Sequence, residues 1–128
     1  MNMKDERQFV GYSKYRSRLV DGHVHTELCP HGSGDRTAMM IEKAIELRIE
    51  KVCLTEHAPL PKAFAVEYGG DQKAYDTASL KLNQVDSYLE LGRQLQRAYG
   101  THIDISLGFE VDYIPGFETD IQEFLDRY

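Results

Sequence analysis

Hydrophobic positions along the chain follow two different spacings. Three short apolar runs, at residues 19–25, 51–55 and 101–111, are typical of β-strands, and in the last run every second residue is apolar. Between and after these runs, apolar residues recur every three or four positions at 35–49, 76–99 and 117–128, which predicts three amphipathic helices. The resulting order, β-α-β-α-β-α, indicates an α/β fold with a parallel sheet and crossover helices.

Several residues mark where the predicted helices begin and end. Asp35 is the expected N-cap of the first helix, and Gly100 stands where the C-terminal cap of the second is expected. Pro59 and Pro61 break regular structure after the second strand. A connection running from there to about residue 75 is long for a compact domain, so we interpret it as a functional loop, such as a lid.

The chain of 128 residues fits one folded domain preceded by a separate segment. Residues 1–18 are polar, carry several basic side chains and have few apolar anchors, so we interpret them as a mobile N-terminal extension. Residues 19–128 form the predicted domain. Its composition, with 41% hydrophobic and 28% charged residues over the whole chain, is that of an ordinary globular protein.

Charge and cysteine content narrow the classes of partner and compartment. The formal net charge of -6 argues against nucleic acid or an anionic membrane as the main partner. It does not exclude a small anionic substrate, because bound cations can invert the local field. Two cysteines, Cys29 and Cys53, do not make a disulfide framework, and without a signal peptide or long apolar run they indicate the cytoplasm. Cys29 could be a soft metal ligand, although a packed thiol is the favoured interpretation.

The first predicted strand carries a pattern typical of metal sites, Asp21-Gly22-His23-Val24-His25. If residues 19–25 are a strand, Asp21, His23 and His25 share one face. Two imidazoles one pleat apart can reach a single cation at the ~2.0–2.1 Å that zinc–nitrogen bonds require. A lone histidine is more often a surface or core residue, but this pattern, with His31 six residues further on, favours a metal site.

Further candidate ligands follow the other predicted strands. In parallel α/β folds the chemistry lies at the C-terminal ends of the strands, and His57 and Glu110 are at those ends, as is His25. The candidate ligands are therefore His23, His25, His31, His57 and Glu110. Four imidazoles and a carboxylate exceed what one closed zinc site uses, so a multinuclear centre bridged by Glu110 is the better interpretation.

Two further acids lie beside the candidate ligands. Asp21 and Glu56 are placed to accept the second ring N–H of a ligand histidine, which would fix its tautomer. For each of them, the alternative is an ordinary solvated acid. His102 precedes a strand at the opposite end of the sheet, and we interpret it as a surface residue.

The motifs resemble those of the polymerase and histidinol phosphatase (PHP) superfamily, and within it the histidinol-phosphatase branch. The matching stretches are Asp21-Gly22-His23-Val24-His25-Thr26, Cys29-Pro30-His31-Gly32, Thr55-Glu56-His57-Ala58-Pro59-Leu60-Pro61 and Gly108-Phe109-Glu110-Val111-Asp112-Tyr113. The resemblance implies a distorted seven-stranded TIM-like barrel of the (β/α) type. It also implies two or three divalent metals (Zn, Mn or Fe) and hydrolysis of L-histidinol phosphate in histidine biosynthesis.

The resemblance also implies roles for individual residues. His23 and His25 look like ligands of a first metal, and His31 and His57 like ligands of a third. Glu110 looks like the bridge to a second metal, so that Glu110 and His57 act on the substrate through bound metal. A metal-activated water then replaces a side-chain nucleophile.

Three βα units make only a partial barrel, so we interpret residues 19–128 as the N-terminal part of a PHP phosphatase domain with exposed strand edges. Two alternatives stay open. One is a PHP phosphoesterase that acts on another small phosphate. The other is a non-catalytic metal-binding piece that self-associates through its open edges. A zinc protease is disfavoured because the helical His-Glu-x-x-His arrangement is missing.

Overall fold

A computed structural model describes residues 18–64 and 72–128, and within them three strands alternate with helices. The elements are β1 (Val20–Val24), α1 (Thr37–Glu46), β2 (Lys51–His57), α2 (Lys62–Phe64), α3 (Gln72–Ala78), a 3₁₀ turn (Leu82–Gln84), α4 (Val85–Tyr99), β3 (Asp104–Glu110) and α5 (Glu118–Arg127). The predicted N-terminal extension lies outside the described residues except for Arg18, as does the part of the predicted lid at 65–71.

The strands form one parallel sheet in the order β1-β2-β3, which confirms the predicted α/β fold. β2 and β3 pair without interruption from Lys51 opposite Asp104 to His57 opposite Glu110, so their C-terminal ends are level. β1 pairs less regularly, because Asp21 lies opposite Val52 and Val24 opposite Leu54. Three residue steps on β1 thus span two on β2, which is a local bulge.

One face of the sheet is covered by helices and holds the core. Val52 and Leu54 of β2 and Ile105 of β3 are buried there, as the alternating pattern predicts. Helices α1 and α4 supply the other side of the core, chiefly through Ile41, Ala44, Tyr88 and Leu95. The opposite face of the sheet is not covered by any of the described helices, and it carries the predicted ligands of β2 and β3.

The predicted first helix is displaced at both ends. It ends at Glu46 rather than near residue 49, and Arg48 then adopts a left-handed backbone with φ of 58°. Asp35 is not its N-cap, because Arg36 occupies that position and Asp35 accepts a hydrogen bond from Ser33 instead. The first helical N–H, that of Thr37, donates to the carboxylate of Glu27 at 2.7 Å.

The predicted helix at 76–99 is two helices separated by a break. α3 ends at Ala78 and α4 begins at Val85. The break has a physical cause, since Leu80 is buried in the core and its backbone N–H donates to the carbonyl of His57 at 3.3 Å rather than to a helical carbonyl. Within the described ranges, every helix is too short or too polar to cross a membrane.

Candidate metal centre

The strand ends bring the predicted ligands together. His57 and Glu110 are paired residues at the ends of neighbouring strands. His25 directly follows β1, which ends at Val24. A parallel sheet places all of these ends at one edge, so side chains far apart in the sequence converge there.

The first group of converging atoms surrounds one carboxylate oxygen. Nε2 of His25 lies 2.8 Å from Oε2 of Glu110, and Nε2 of His23 lies 3.0 Å from the same oxygen. The two ring nitrogens are themselves 3.1 Å apart. Three possible donor atoms to a metal ion therefore stand at the corners of a small triangle.

The second group extends from the same oxygen through His57. Nδ1 of His57 lies 3.2 Å from Oε2 of Glu110, and its Nε2 lies 3.2 Å from Nε2 of His31. Nδ1 of His31 is 2.8 Å from the carbonyl oxygen of Thr77. Because a carbonyl only accepts hydrogen bonds, that nitrogen carries the proton, and the lone pair of a neutral His31 ring is on Nε2, facing His57.

Glu56 lies behind these rings as a fully buried acid. Its Oε2 accepts hydrogen bonds from the backbone N–H and the hydroxyl of Thr26, at 2.9 and 2.7 Å. Its Oε1 accepts a hydrogen bond from the backbone N–H of His57 and lies 3.6 Å from Nδ1 of His25. The carboxylate is therefore fixed next to the non-metal side of the His25 ring, the position in which an acid can orient a ligand histidine.

Asp21 does not join this arrangement in the predicted way. It accepts a hydrogen bond from the backbone N–H of His23, at 3.4 Å, rather than from an imidazole. The bulge in β1 is the physical reason, since it breaks the strict alternation that would have aligned Asp21 with both histidines.

Cys29 is buried next to His25, with its sulfur 3.6 Å from Nδ1 of that ring. Burial raises the pKa of the Cys29 thiol, with a smaller contribution from the nearby Glu56 carboxylate. A protonated, packed thiol is therefore favoured, although its sulfur falls within one group of candidate donors with His25, His31 and His57.

The arrangement of donors fits divalent metal ions. A tetrahedral ion with bonds of ~2.0–2.1 Å places its ligand atoms ~3.3 Å apart, close to the 2.8–3.2 Å observed between neighbouring nitrogen and oxygen atoms here. Imidazole and carboxylate together suit Zn, Mn and Fe. The shared Glu110 oxygen joins the first group to His57, so two neighbouring ions could share this carboxylate.

Glu110 is held in its charged form. The hydrogen bond from His23 lowers the pKa of its carboxyl group below the ordinary 4.5, and partial burial, which acts in the opposite direction, does not offset this. The centre is also accessible, because the side chains of His23 and Glu110 are 62% and 34% exposed. A cation bound beside this anionic carboxylate would invert the local field that a small anionic ligand meets.

Three contacts around the centre were not predicted from the sequence. Thr26 anchors Glu56, the carbonyl of Thr77 orients His31, and the hydroxyl of Tyr88 meets the backbone of Glu56. Only Tyr88 carries a signal in the sequence. It lies in the apolar stripe of α4, and a tyrosine buried in such a stripe requires a partner for its hydroxyl.

An apolar cavity of about 270 Å³ adjoins the strand ends. Ala58, which follows His57, and Val111, which follows Glu110, both line it, while its polar lining comes chiefly from Lys62, Asp112 and Asp120. None of the five predicted ligands is among its lining residues. The cavity is thus a neighbour of the candidate centre rather than part of it.

Comparison with known proteins identifies the fold family. The sequence profile of the PHP domain matches residues 21–127. The chain belongs to the PHP domain family. The family resemblance predicted from the motifs is therefore confirmed, and the open three-stranded sheet agrees with a partial PHP barrel.

Two curated relatives share the histidinol-phosphatase designation. A protein of Bacillus subtilis named "Histidinol-phosphatase" is 37% identical over 108 residues, which cover 84% of this chain and 38% of that protein. A "Probable histidinol-phosphatase" of Deinococcus radiodurans is 26% identical over 110 residues, covering 86% of this chain and 38% of its own. The chain thus spans about 38% of the length of these curated relatives.

A solved structure shows the same PHP architecture. The crystal structure of a candidate histidinol phosphatase from Listeria monocytogenes superposes with a TM-score of 0.81 and is 39% identical. The match covers 85% of this chain and 40% of that one. At this identity, the two chains share local sequence as well as fold.

Proposed function

We propose that the chain is part of a metal-dependent phosphomonoester hydrolase that converts L-histidinol phosphate and water to L-histidinol and phosphate. The observation that carries the proposal is the convergence of three imidazoles on one Glu110 oxygen at 2.8–3.2 Å. The names of the relatives, which contain the histidinol-phosphatase designation, support this substrate. Its location in the cytoplasm, its independence of nucleic acid and membrane, and its metal count of two or three stay predictions.

The proposed ligands divide between the two groups of donors. His23 and His25 would hold one ion together with Glu110, and His31 and His57 would hold another. Bound divalent ions would supply Lewis acidity towards the phosphoryl oxygens and lower the pKa of coordinated water. The Cys29 thiol lies 3.6 Å from Nδ1 of His25 at this edge, but it is buried and burial raises its pKa, so it is a poor nucleophile, which supports a water-based reaction.

The protein's own groups would set the geometry and the charge. The Glu110 carboxylate remains anionic, because its pKa is lowered, and can offset the charge of two cations. Glu56 would hold His25 in one ring orientation from the buried side. The carbonyl of Thr77 fixes the protonated nitrogen of His31 and leaves Nε2 as the donor. The rings would therefore be oriented before an ion binds.

Phosphate release from L-histidinol phosphate tests this proposal. The purified chain should release phosphate when supplied with Mn²⁺ or Zn²⁺ and should stop when the metal is chelated. The variant Glu110→Gln should lose this release, while the matched control Glu90→Gln, which changes an exposed acid of α4, should keep it. A chain that is loaded with metal and releases no phosphate would contradict the proposal.

The choice of substrate requires a separate comparison. Within the described residues, none of the contacts identifies a group that recognises the imidazole of histidinol, so the alternative of another small phosphate is tested directly. We expect turnover of L-histidinol phosphate to exceed that of nucleotide and sugar phosphates under the same metal conditions. Faster hydrolysis of a nucleotide would favour a PHP phosphoesterase with a different substrate.

A second candidate function is a metal-binding piece that self-associates through its sheet edges. Two observations favour it. Among the described residues the sheet has three strands, so that β1 and β3 are its edge strands, and Leu19 and Val20 at the β1 edge are 55% and 51% exposed. If this holds, Val20→Lys should reduce association in sedimentation experiments, whereas Met39→Lys, on the outer face of α1, should not. A wild-type chain that is strictly monomeric would rule it out.

A further inference from the structure

Tyr88 connects the core of the molecule to the seam between two ligand-bearing strands. It is completely buried on α4. Its hydroxyl donates a hydrogen bond to the carbonyl of Gly108 on β3, at 2.6 Å, and accepts one from the backbone N–H of Glu56 on β2, at 3.4 Å. One side chain therefore contacts the backbones of both strands.

The direction of the backbone groups shows where this hydroxyl lies. The N–H of Asp104 donates to the carbonyl of Glu50, and the N–H of Ala58 donates to the carbonyl of Glu110. Backbone groups alternate in direction along a strand, so the carbonyl of Gly108 also points towards β2. In the uninterrupted register of β2 and β3, the N–H of Glu56 and the carbonyl of Gly108 face each other as neighbours in the ladder, and the hydroxyl of Tyr88 contacts both groups across the β2–β3 seam.

This bridge lies immediately before the candidate metal centre. Glu56 precedes His57, and Gly108 is two residues before Glu110. This rung adjoins the pair His57 and Glu110, in which Nδ1 of His57 lies 3.2 Å from Oε2 of Glu110. Glu56 also places its carboxylate 3.6 Å from Nδ1 of His25. Through Glu56, Tyr88 is therefore also connected to His25, which belongs to the first group of donors.

Other features of Tyr88 suit a permanent bridge. Burial raises the pKa of its phenol to about 12, so that the hydroxyl keeps its proton at all physiological pH values. Its ring packs against Phe109, with centroids 5.3 Å apart, which holds the phenol against β3. A phenylalanine would fill the same space in the hydrophobic core, so packing alone does not explain the hydroxyl.

We propose that Tyr88 is a positioning residue, whose hydroxyl bridges β2 and β3 and sets the spacing of His57 and Glu110 for metal binding. This inference rests on the proposed metal centre and adds a residue that touches neither metal nor substrate. The spacing of these two ligands would then depend on a side chain of helix α4, on the opposite side of the sheet from the ligands.

The test compares metal affinities of Tyr88→Phe and Tyr99→Phe. Tyr99 is the matched control, because it lies on the same helix and its hydroxyl bonds Glu42 on α1, away from the strand ends. Competition with a chromophoric chelator should show a loss of Zn²⁺ affinity of roughly 10–100-fold in Tyr88→Phe, the range found when groups that support metal ligands are removed. Tyr99→Phe should bind like the wild type.

Two further variants separate positioning from stability. Leu95→Ala removes a buried core side chain of the same helix and should lower the melting temperature while leaving the Zn²⁺ affinity of the folded protein unchanged. Replacing Tyr88 with 4-aminophenylalanine keeps a hydrogen-bond donor at the same place. This variant should bind Zn²⁺ with the affinity of the wild type, whether or not Tyr88→Phe folds. A folded Tyr88→Phe with wild-type affinity, or a folded amino variant that stays weak, would overturn the inference.

The metal affinity of the wild type distinguishes the two proposals. If the wild-type chain binds no Zn²⁺ or Mn²⁺, the proposed metal centre is wrong and the role of Tyr88 falls with it. If the wild type binds and Tyr88→Phe binds equally well, only the role of Tyr88 is wrong.

Discussion

At the scale of single residues, one oxygen of Glu110 lies at the centre of the candidate ligands. His23, His25 and His57 all approach it within 3.2 Å. Removing its charge by Glu110→Gln should release at least one metal ion per chain, because a neutral amide cannot offset two neighbouring cations. Metal content after dialysis, measured by mass spectrometry, checks this, and circular dichroism should show an unchanged fold.

The control for Glu110→Gln is the exposed acid Glu90, which pairs with Arg97 on α4. Glu90→Gln makes the same chemical change away from the strand ends, so its metal content should match that of the wild type. If Glu110→Gln keeps the full metal content, the bridging role assigned to Glu110 is wrong.

The candidate ligands could be predicted from the sequence, but their orientation could not. The spacing of His23 and His25 follows from the two-residue period of a strand, and His57 and Glu110 are found at the ends of two others. The predicted contact of Asp21 with a histidine ring is not seen, because the residue pattern does not reveal the bulge in β1. The contact of His31 with the carbonyl of Thr77 spans 46 residues and depends on how the loop after β1 packs against α3.

At the scale of elements, Glu27 takes the place of the predicted helix cap. Its carboxylate accepts hydrogen bonds from the backbone N–H and hydroxyl of Thr37 at the start of α1. Burial raises the pKa of Glu27, but the hydrogen bonds from Thr37 outweigh it, and the pKa lies below the ordinary 4.5. A lowered folded-state pKa stabilises the fold above the unfolded pKa, and this contribution is lost as the pH falls through the folded value.

We therefore expect Glu27→Gln to lower the free energy of unfolding by about 1 kcal/mol at neutral pH, as for the loss of a helix cap. Urea denaturation at a series of pH values measures this. The difference in the free energy of unfolding between the wild type and Glu27→Gln should become smaller as the pH falls below 4.5. Asp35→Asn should change little, because Asp35 does not cap the helix. A difference in unfolding free energy that does not change with pH would contradict this role of the Glu27 charge.

Helix α4 approaches β3 so closely that Gly92 has no room for a side chain. A Cβ at this position would lie 2.4 Å from Cδ1 of Leu107. Gly92→Ala should therefore destabilise the protein by about 1–3 kcal/mol through overpacking, despite the better helix propensity of alanine. Thermal or urea unfolding checks the change. In the double variant Gly92→Ala/Leu107→Ala, the change in unfolding free energy should differ from the sum of the two single changes. If the two changes simply add, no clash exists.

The strands and the core faces were predictable, while the helix ends were not. The buried positions Val52, Leu54 and Ile105 follow directly from alternation. Helix ends depend on contacts with distant residues, as the Glu27 cap and the bond from Leu80 to the carbonyl of His57 show. Propensity cannot register such contacts, because the partners are remote in sequence.

At the scale of the whole molecule, the helices of residues 18–64 and 72–128 cover one face of the sheet and leave its ligand face uncovered. The edge of β3 is partly occupied, because the side-chain amide of Gln96 donates to the carbonyl of Ile105 at 2.8 Å. The edge of β1, with Leu19 and Val20 exposed, has more free apolar surface. Association through strand edges should therefore involve β1 more than β3.

The number of metal ions bound by the wild-type chain tests the central claim most directly. After dialysis against Zn²⁺ or Mn²⁺ and removal of free ions, the metal content per chain is measured by mass spectrometry. We expect two or three ions, because the donors form two groups that share His25 and are joined through Glu110 and His57. A chain that retains no metal, or retains one ion whose binding is insensitive to Glu110→Gln, would contradict a multinuclear centre at these strand ends.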